Sequence, residues 1–406
     1  DILVMPCTQY RQGGTWRDKY KSAFQKSTER GHAGYYSVHL DDHGVLAELT
    51  ATTRVGIHRY TLDEPDTLTW IVDLEHRDEL VHYSIDPRGT RMLVRHRVSQ
   101  NWAEEQHVYF AMAFDRDFEW GDQLGEITHV DTLEDGSLVQ EMSMVPVFVA
   151  DFGVVSELNV HVGLSFCDIE GAIRNLEAEV DGFDFDRQRA ACEARWDEQL
   201  GRIAIEGGTQ DERTTFYTAL YHATTVPNVA SDVDGRYRGT DLRVHQLAQG
   251  QGEHYSVFSL WDTYRALHPL LAWIEPNRTR DMVLTMLRMY EDGGQLPVWE
   301  LAANYTGCMI GYHSVPVIVD AEQWGIEGWD PGVALDAMVQ AADSMHLGLD
   351  AYAELGFIPS DHEHESVSKT LEYAFDDACI ARYAAAHNRP DLAERFARRA
   401  ASWKNL

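Results

Sequence analysis

The sequence predicts two domains of different class in series, an antiparallel β-sandwich followed by an all-helical domain. Three observations carry this. Residues 34–166 consist of short β-branched and aromatic runs, broken by Asp/Gly clusters roughly every ten residues, as in an antiparallel sandwich. Near residue 170 the apolar spacing changes to that of a helix. Beyond that point no strand pattern of comparable strength appears. Strands followed by helices, not alternating with them, separate two domains of different class. The boundaries read in this way are a sandwich over 1–170, a linker-helix region over 171–205 and a helical domain over 206–406.

The strands come first. Asp1-Ile2-Leu3-Val4-Met5 reads as a strand already under way, so the start is not expected to be a natural N-terminus. The run from Tyr35 to Leu40 precedes a turn at Asp41–Gly44. Val45–Thr50 and Val55–Tyr60 follow, and later runs fall at 91–98, 107–114, 144–149 and 155–166. The helices begin with a stripe of Phe185, Cys192, Trp196, Leu200 and Ile203. Helical stretches continue at about 211–226, 259–273, 277–291, 308–324, 332–346, 366–386 and 390–403. There is no heptad seam and no fixed-period repeat, which leaves helical hairpins stacked in a ring or a superhelix.

Composition narrows the function. With 406 residues, 44% of them hydrophobic, the chain has material for a large core. Its 34 Lys+Arg against 66 Asp+Glu give a net charge of −32, which repels phosphate backbones and makes nucleic acid an unsuitable partner. The five cysteines are far apart and form no C-x-x-C pair, so neither a zinc framework nor a disulfide scaffold is indicated. No apolar run reaches the ~18 residues of a membrane span.

Three segments of the helical half gather aromatic and polar groups. In Tyr255–Pro269, Trp261 stands beside Asp262 at a helix start. An indole covers the apolar face of a pyranose and a carboxylate accepts adjacent hydroxyl protons. The plain alternative is a buried Trp with Asp262 capping Thr263–Arg265. In Gly293–Gly311, a loop presents Trp299, Glu300, Asn304 and Tyr305. Glu300 has three readings: general acid, acceptor for sugar hydroxyls, or solvated loop carboxylate. His313 follows and reads as a satisfied structural histidine. In Glu365–Asp377, Leu371, Phe375 and Ala378 form an expected inner stripe. Lys369, Glu372 and Asp376 lie three and four apart on a neighbouring face, where surface ion pairing is the plain account. Asp361-His362-Glu363-His364 has the composition of a metal cluster but not the i, i+4 spacing of a helical zinc site. There is no phosphate loop after a strand, no G-x-S-x-G and no H-E-x-x-H.

At these segments the sequence resembles glycoside hydrolase family 92. "YSVFSLWDTYRALHPLL", "GGQLPVWELAANYTGCMIGYHSVPVIVDA" and "ESVSKTLEYAFDDACIA" look like that family's blocks in their order, and "DILVMP" and "GYYSVHLDDHGVLAELTATTRVGIHRYTL" extend the likeness into the sandwich. The resemblance implies a β-sandwich, a linker helix and an (α/α)6 barrel. It implies a calcium-dependent exo-α-mannosidase that inverts the anomeric centre, acting on mannans or N-glycans. It also implies a secreted, cell-surface or periplasmic bacterial protein. By the same resemblance Trp261 and Asp262 contact the terminal mannose, with Trp299, Glu300 and Glu372 as further pocket-wall candidates. No catalytic or metal residue is assigned here. An inverting hydrolase needs an acid and a base about 6.5–9.5 Å apart. The "TEGN" and "GNDD"-like segments that would carry them are not in this sequence, so both are expected outside it. The alternatives are a mannosyl-phosphate-cleaving member of the family, a carbohydrate-binding fragment without catalysis, and another glycosidase of the same plan such as a phosphorylase.

Overall fold

The structure, a computed structural model, describes residues 2–9, 16–121, 125–132, 138–145, 147–344 and 347–406. The chain divides into two compact units, Asp1–Gly201 and Arg202–Leu406. No described helix is long and apolar enough to cross a membrane.

The first unit contains strands β1 (Leu3–Cys7), β2 (Arg30–His32), β3 (Tyr35–Leu40), β4 (Val45–Ala51), β5 (Val55–Asp73), β6 (Glu79–Pro87), β7 (Met92–Gln100), β8 (Gln106–Phe114), β9 (Glu119–Gly121), β10 (Gly125–Thr132), β11 (Leu138–Val145) and β12 (Val147–Ser165). Its helices are α1 (Trp16–Lys19), α2 (Ile169–Glu179) and α3 (Phe185–Leu200). Ten strands form one antiparallel sheet in the order β2-β3-β4-β5-β12-β8-β7-β6, with β1 on β5 and β9 on β12; β10 and β11 pair separately. Within the expected run 144–149, Pro146 lies outside the described residues.

The central strands β5 and β12 are each 19 residues long and pair along their length. Their register breaks between Asp151 and Val154 and between Val155 and Glu157, and Gly153 in the first break has φ +62°. Bulges of this kind bend strands. One face of the sheet buries Leu68, Trp70, Phe110, Phe114 and Leu158, in a cluster to which no described helix contributes. The sheet therefore covers this face by folding back on itself. Helix α2 covers the opposite face: Ala172 packs with Val94 and Ala111, and Leu176 with Val55 and Ile57. The approach is close because position 163 on β12 is glycine. A Cβ there would lie 2.4 Å from the Ala172 carbonyl oxygen. Phe185 of α3 joins the cluster of Val55, Ile57 and Leu176. Both helices of the segment read as a linker thus belong to the first unit.

The second unit contains helices α4 (Gln210–Thr224), α5 (Leu260–Thr263), α6 (Leu267–Ile274), α7 (Pro276–Gly293), α8 (Ser314–Gln323), α9 (Pro331–Asp343), α10 (Leu349–Leu355), α11 (Ser366–Ala386) and α12 (Pro390–Arg399), with a 3-10 turn at Ser402–Asn405. Successive helices pack as neighbours: α6 on α7, α7 on α8, α8 on α9, α11 on α12, with α11 also against α8 and α9. They share one core that includes Met282, Met286, Val315, Ile318, Met338 and Ile380. The expected helix 259–273 is broken into α5 and α6. The expected helix 308–324 starts only at Ser314, because Met309 (φ +69°) and Gly311 (φ +81°) are left-handed. The expected helix 332–346 is α9; residues 345 and 346 lie outside the described ones.

Two features depart from the all-helical reading. Short strands occur within the unit: β13 (Asn228–Val229) pairs with β16 (Tyr255–Ser256), and β14 (Arg236–Arg238) with β15 (Val244–Gln246). A three-stranded piece is made by β17 (Phe258–Ser259), β18 (Trp299–Leu301) and β19 (Asn304–Tyr305). Pieces of two or three residues are too short to show a period in sequence. The second departure is a correction. On α11 Leu371, 46% exposed, and Phe375, 43% exposed, of the expected inner stripe line an open cavity instead of packing in the core, whereas Lys369, Asp376 and Asp377 are buried. The polar face is the inner one because buried partners meet it. Tyr312 and Tyr352 donate to Asp377 at 2.7 and 2.9 Å, and Arg399 donates to it at 3.0 Å.

Candidate functional site

The β17–β18–β19 piece positions two of the candidate residues. Phe258 lies opposite Glu300, and Ser259 opposite Trp299. Residues opposite each other in an antiparallel pair project to the same face, so Glu300 and Trp299 point to opposite sides.

Glu300 points inward. It is 1% exposed. The Ser256 hydroxyl and the Ala303 amide donate to its Oε1 at 2.9 and 2.6 Å, and the Val257 amide donates to Oε2 at 2.9 Å. The Ala303 contact is made by a tight turn in which Ala302 (φ +49°) and Ala303 (φ +66°) are both left-handed. Burial pushes the carboxyl up to about 7 against the pull of these donors. The solvated-loop reading is thereby excluded. Glu300 ties β18 to the Ser256–Val257 segment and is buried, unlike the exposed Trp261 and Asp262.

On the other side, the Ser259 hydroxyl bonds the Asp262 carboxylate. Asp262 is the third residue of α5, whose N-cap is Ser259, so it does not cap Thr263–Arg265. Trp261 and Asp262 are both exposed, the indole at 39%. Trp299, opposite Ser259, is half-buried on the face that carries Ser259. The indole–carboxylate pair is therefore presented at the surface and is not consumed in packing.

The richest polar arrangement surrounds Glu372. Its Oε2 accepts from the Tyr264 hydroxyl at 2.8 Å and its Oε1 from Arg265 at 2.5 Å. His313 Nε2 lies 3.4 Å from Oε2. The other ring nitrogen, Nδ1, is 2.9 Å from Asp376 Oδ1, and the Tyr312 amide donates to Asp376 Oδ2 at 2.8 Å. His313 and Asp376 are both fully buried. The imidazole stacks on the Tyr264 ring, centroids 4.1 Å apart and 17° from parallel. Burial raises the Asp376 carboxyl; burial first, and then the Glu372 contact, raises the Tyr264 phenol. A cavity of about 600 Å³ lies alongside, lined by Tyr264, Arg265 and Glu372 at one end and by Asp320 and Arg382 further along α8 and α11. Trp261, Asp262, Trp299 and Glu300 are not among its lining residues.

Among the described residues no group of three or more His, Cys, Asp or Glu converges as a metal ion requires. His362 is engaged with Asp350 at 3.3 Å, and Glu363 with Lys369 at 3.0 Å. Asp262 accepts from Ser259, and Glu372 from Tyr264 and Arg265; among the described residues neither joins a group that converges as a calcium cage would. No disulfide joins any of the five cysteines.

The sequence does not single out Tyr264 and Arg265, and it presents His313 and Asp376 only as a structural histidine and a member of a surface ion-pairing face. The spacing of Glu372 and Asp376 was visible as a helix face. What brings His313 to it, a contact across 63 positions, leaves no local trace.

Comparison with known proteins fits this layout. Residues 1–165 match the glycosyl hydrolase family 92 N-terminal domain, and residues 171–406 match the family's catalytic domain. The α-mannosidase BT3965 of Bacteroides thetaiotaomicron, solved in complex with mannoimidazole, is 32% identical with a TM-score of 0.88 over 100% of this chain and 55% of its own. The inverting mannosidase BT2199 of the same organism is 26% identical, TM-score 0.83, with 100% of this chain and 55% of its own covered. An uncharacterized secreted glycosidase of Arthroderma benhamiae is 26% identical over 275 residues, covering 64% of this chain and 31% of that protein. A putative kojibiose phosphorylase from the human microbiome, at 6% identity and TM-score 0.53, shares the fold alone. The chain thus spans little more than half of the solved mannosidases it matches. With both of its units matched in order, this chain belongs to glycosyl hydrolase family 92.

Proposed function

We propose that the polypeptide carrying this chain is an exo-α-mannosidase, which releases terminal α-linked mannose from mannans or N-glycans by an inverting route. One observation carries the reading: the exposed Trp261–Asp262 pair stands immediately before Tyr264 and Arg265, which line a cavity together with Glu372. In this reading the Trp261 indole covers the apolar face of the end sugar and the Asp262 carboxylate accepts protons from its hydroxyls. Trp299 adds an aromatic wall, Glu300 supports strand β18, and Glu372 offers carboxylate lone pairs towards the cavity. These groups bind and orient; no proton transfer is assigned to any of them. The proposed acid and base of an inverting reaction are residues other than these. The proposed enzyme takes calcium, with ligands other than these residues. The likeness to a secreted glycosidase supports an exported enzyme.

The test is hydrolysis of α-1,2-mannobiose by the longer polypeptide, with calcium and then with a chelator. Mannose release that the chelator abolishes is expected. Release should fall by about a hundredfold in kcat/KM in Asp262→Ala, on the order of 3 kcal/mol of lost sugar contact. No release under either condition counts against the enzyme. Millimolar binding of mannose without turnover would favour a carbohydrate-binding fragment, and turnover of a mannosyl phosphate alone would favour the phosphate-linked branch.

A further inference from the structure

We infer that His313 is a positioning residue for Glu372: Asp376 fixes the imidazole, and the imidazole holds the Glu372 carboxylate at the cavity for a sugar hydroxyl. The inference deepens the mannose-binding reading above and rests on it. It begins with Asp376, which is fully buried and has both oxygens engaged, one by the Tyr312 amide and one by His313 Nδ1. Asp376 takes the Nδ1 hydrogen and sets the plane of the ring; to hold Glu372 as well, Nε2 must carry a second hydrogen, so the ring that does both is an imidazolium between two carboxylates. Nε2 meets Glu372 Oε2 at 3.4 Å. The nitrogen is buried, and this carboxylate is the polar group set against it; no well-aligned hydrogen bond engages it.

Two further features hold the ring in that place. Tyr264 stacks on it and also donates to the same Glu372 oxygen, so ring and hydroxyl act on one atom. Position 311 is a glycine at φ +81°, and a Cβ there would lie 2.3 Å from His313 Nε2. The backbone has thus been cleared for the imidazole. Arg265, 64% exposed, takes Oε1 of Glu372. The charged and titratable groups that face this ring are Asp376 and Glu372 from α11, Tyr264 and Arg265 from the segment after α5, and Tyr312 beside it in sequence. A carboxylate has about four acceptor sites. With Tyr264 and Arg265 each taking one and His313 facing a third, the remaining edge of Glu372 lies on the cavity, where one sugar hydroxyl can donate to it.

A purely structural histidine would make a different prediction from a positioning one. The experiment therefore uses this chain, in wild-type form and as His313→Gln, Glu372→Gln and the double variant. Mannose affinity is read by calorimetry and ring nitrogens by 15N NMR, and each variant is checked for cooperative unfolding. Loss of affinity of about tenfold is expected in each single variant, with the double no worse than Glu372→Gln alone, because both changes act through one carboxylate. The Nε2 signal of His313 should move in Glu372→Gln while the Nδ1–H signal persists. Asp376→Asn, which keeps the shape, should disturb the Nδ1 signal and weaken mannose binding. The inference is overturned if His313→Gln folds and binds mannose as the wild type does, if the losses add, or if Glu372→Gln leaves Nε2 unmoved. If His313→Gln fails to fold, the Asp376→Asn affinity and the Nε2 shift decide. Absence of mannose binding in the wild type overturns the sugar reading itself. A moved Nε2 signal alongside that result would show a coupling that serves another ligand.

Discussion

Glu300 couples stability to pH through a single side chain. Its folded carboxyl is raised from 4.5 to about 7, with burial as the largest cause. A raised acid binds more protons in the folded chain than in the unfolded one between those two values. The slope of unfolding free energy with pH is then negative across that window. The stabilisation is complete below about 4.5 and is lost as pH rises through about 7. Asp377, raised to about 6 mainly by burial, adds a slope of the same sign over a lower window. Urea unfolding at about pH 5 and about pH 8 should show the second unit weakening with pH. Glu300→Ala should flatten that slope and cost about 3 kcal/mol, because the Ser256, Val257 and Ala303 donors lose their acceptor. An unchanged slope would show that the carboxyl titrates as it does in solvent. At this scale Trp261 and Asp262 stand out in the sequence because their neighbouring types suit a pyranose, and the structure leaves both exposed. The burial of Glu300 was not legible. Its partner Ser256 is 44 positions away, and nothing in the residue types says which loop carboxylate will be folded under.

The elements were legible where an apolar period runs for several turns, and less so where a backbone detail sets an end. Helix α7 appears almost as its pattern predicts. The entry to α8 is delayed by left-handed Met309 and Gly311, and a methionine gives no warning of that conformation. Strand β5 was read only as far as Tyr60, and the polar run Asp63-Glu64-Pro65-Asp66 follows. The strand continues through it with those residues exposed, and resumes burial at Leu68. Helix α11 is the clearest reversal. Apolar spacing names a face but not its direction when an acidic face finds His313, Tyr312, Tyr352 and Arg399 inside. Element contacts also carry a prediction at the α2–β12 crossing. Gly163→Ala places a carbon against the Ala172 carbonyl and the Leu176 side chain, forcing α2 away from the sheet. A loss of about 2 kcal/mol is expected by urea denaturation. An unaltered midpoint would mean that the helix has slack the present packing does not show.

For the whole molecule, the two-class plan was readable because strand and helix regions occupy separate stretches of chain. The refinement is that α2 and α3 go with the sheet, so the division falls after Gly201 and not ahead of a free linker. Arg202 is exposed just past the end of α3. Limited trypsin digestion should cut there first and leave two resistant fragments. Early cleavage inside either unit would contradict the division into two self-contained cores.

The pairing of β5 with β12 has a kinetic consequence. The two strands at the middle of the sheet are joined by everything between them, with partners separated by 74 positions at Asp73–Val147 and 108 at Val55–Gly163. Closing a loop of that size precedes the reward of its ladder, and topologies rich in distant contacts assemble slowly. The outer hairpins β3–β4 and β6–β7 join neighbours in the chain and are free to form first. The late arrival of the central zipper then sets the pace at which the amino-terminal unit reaches its native state.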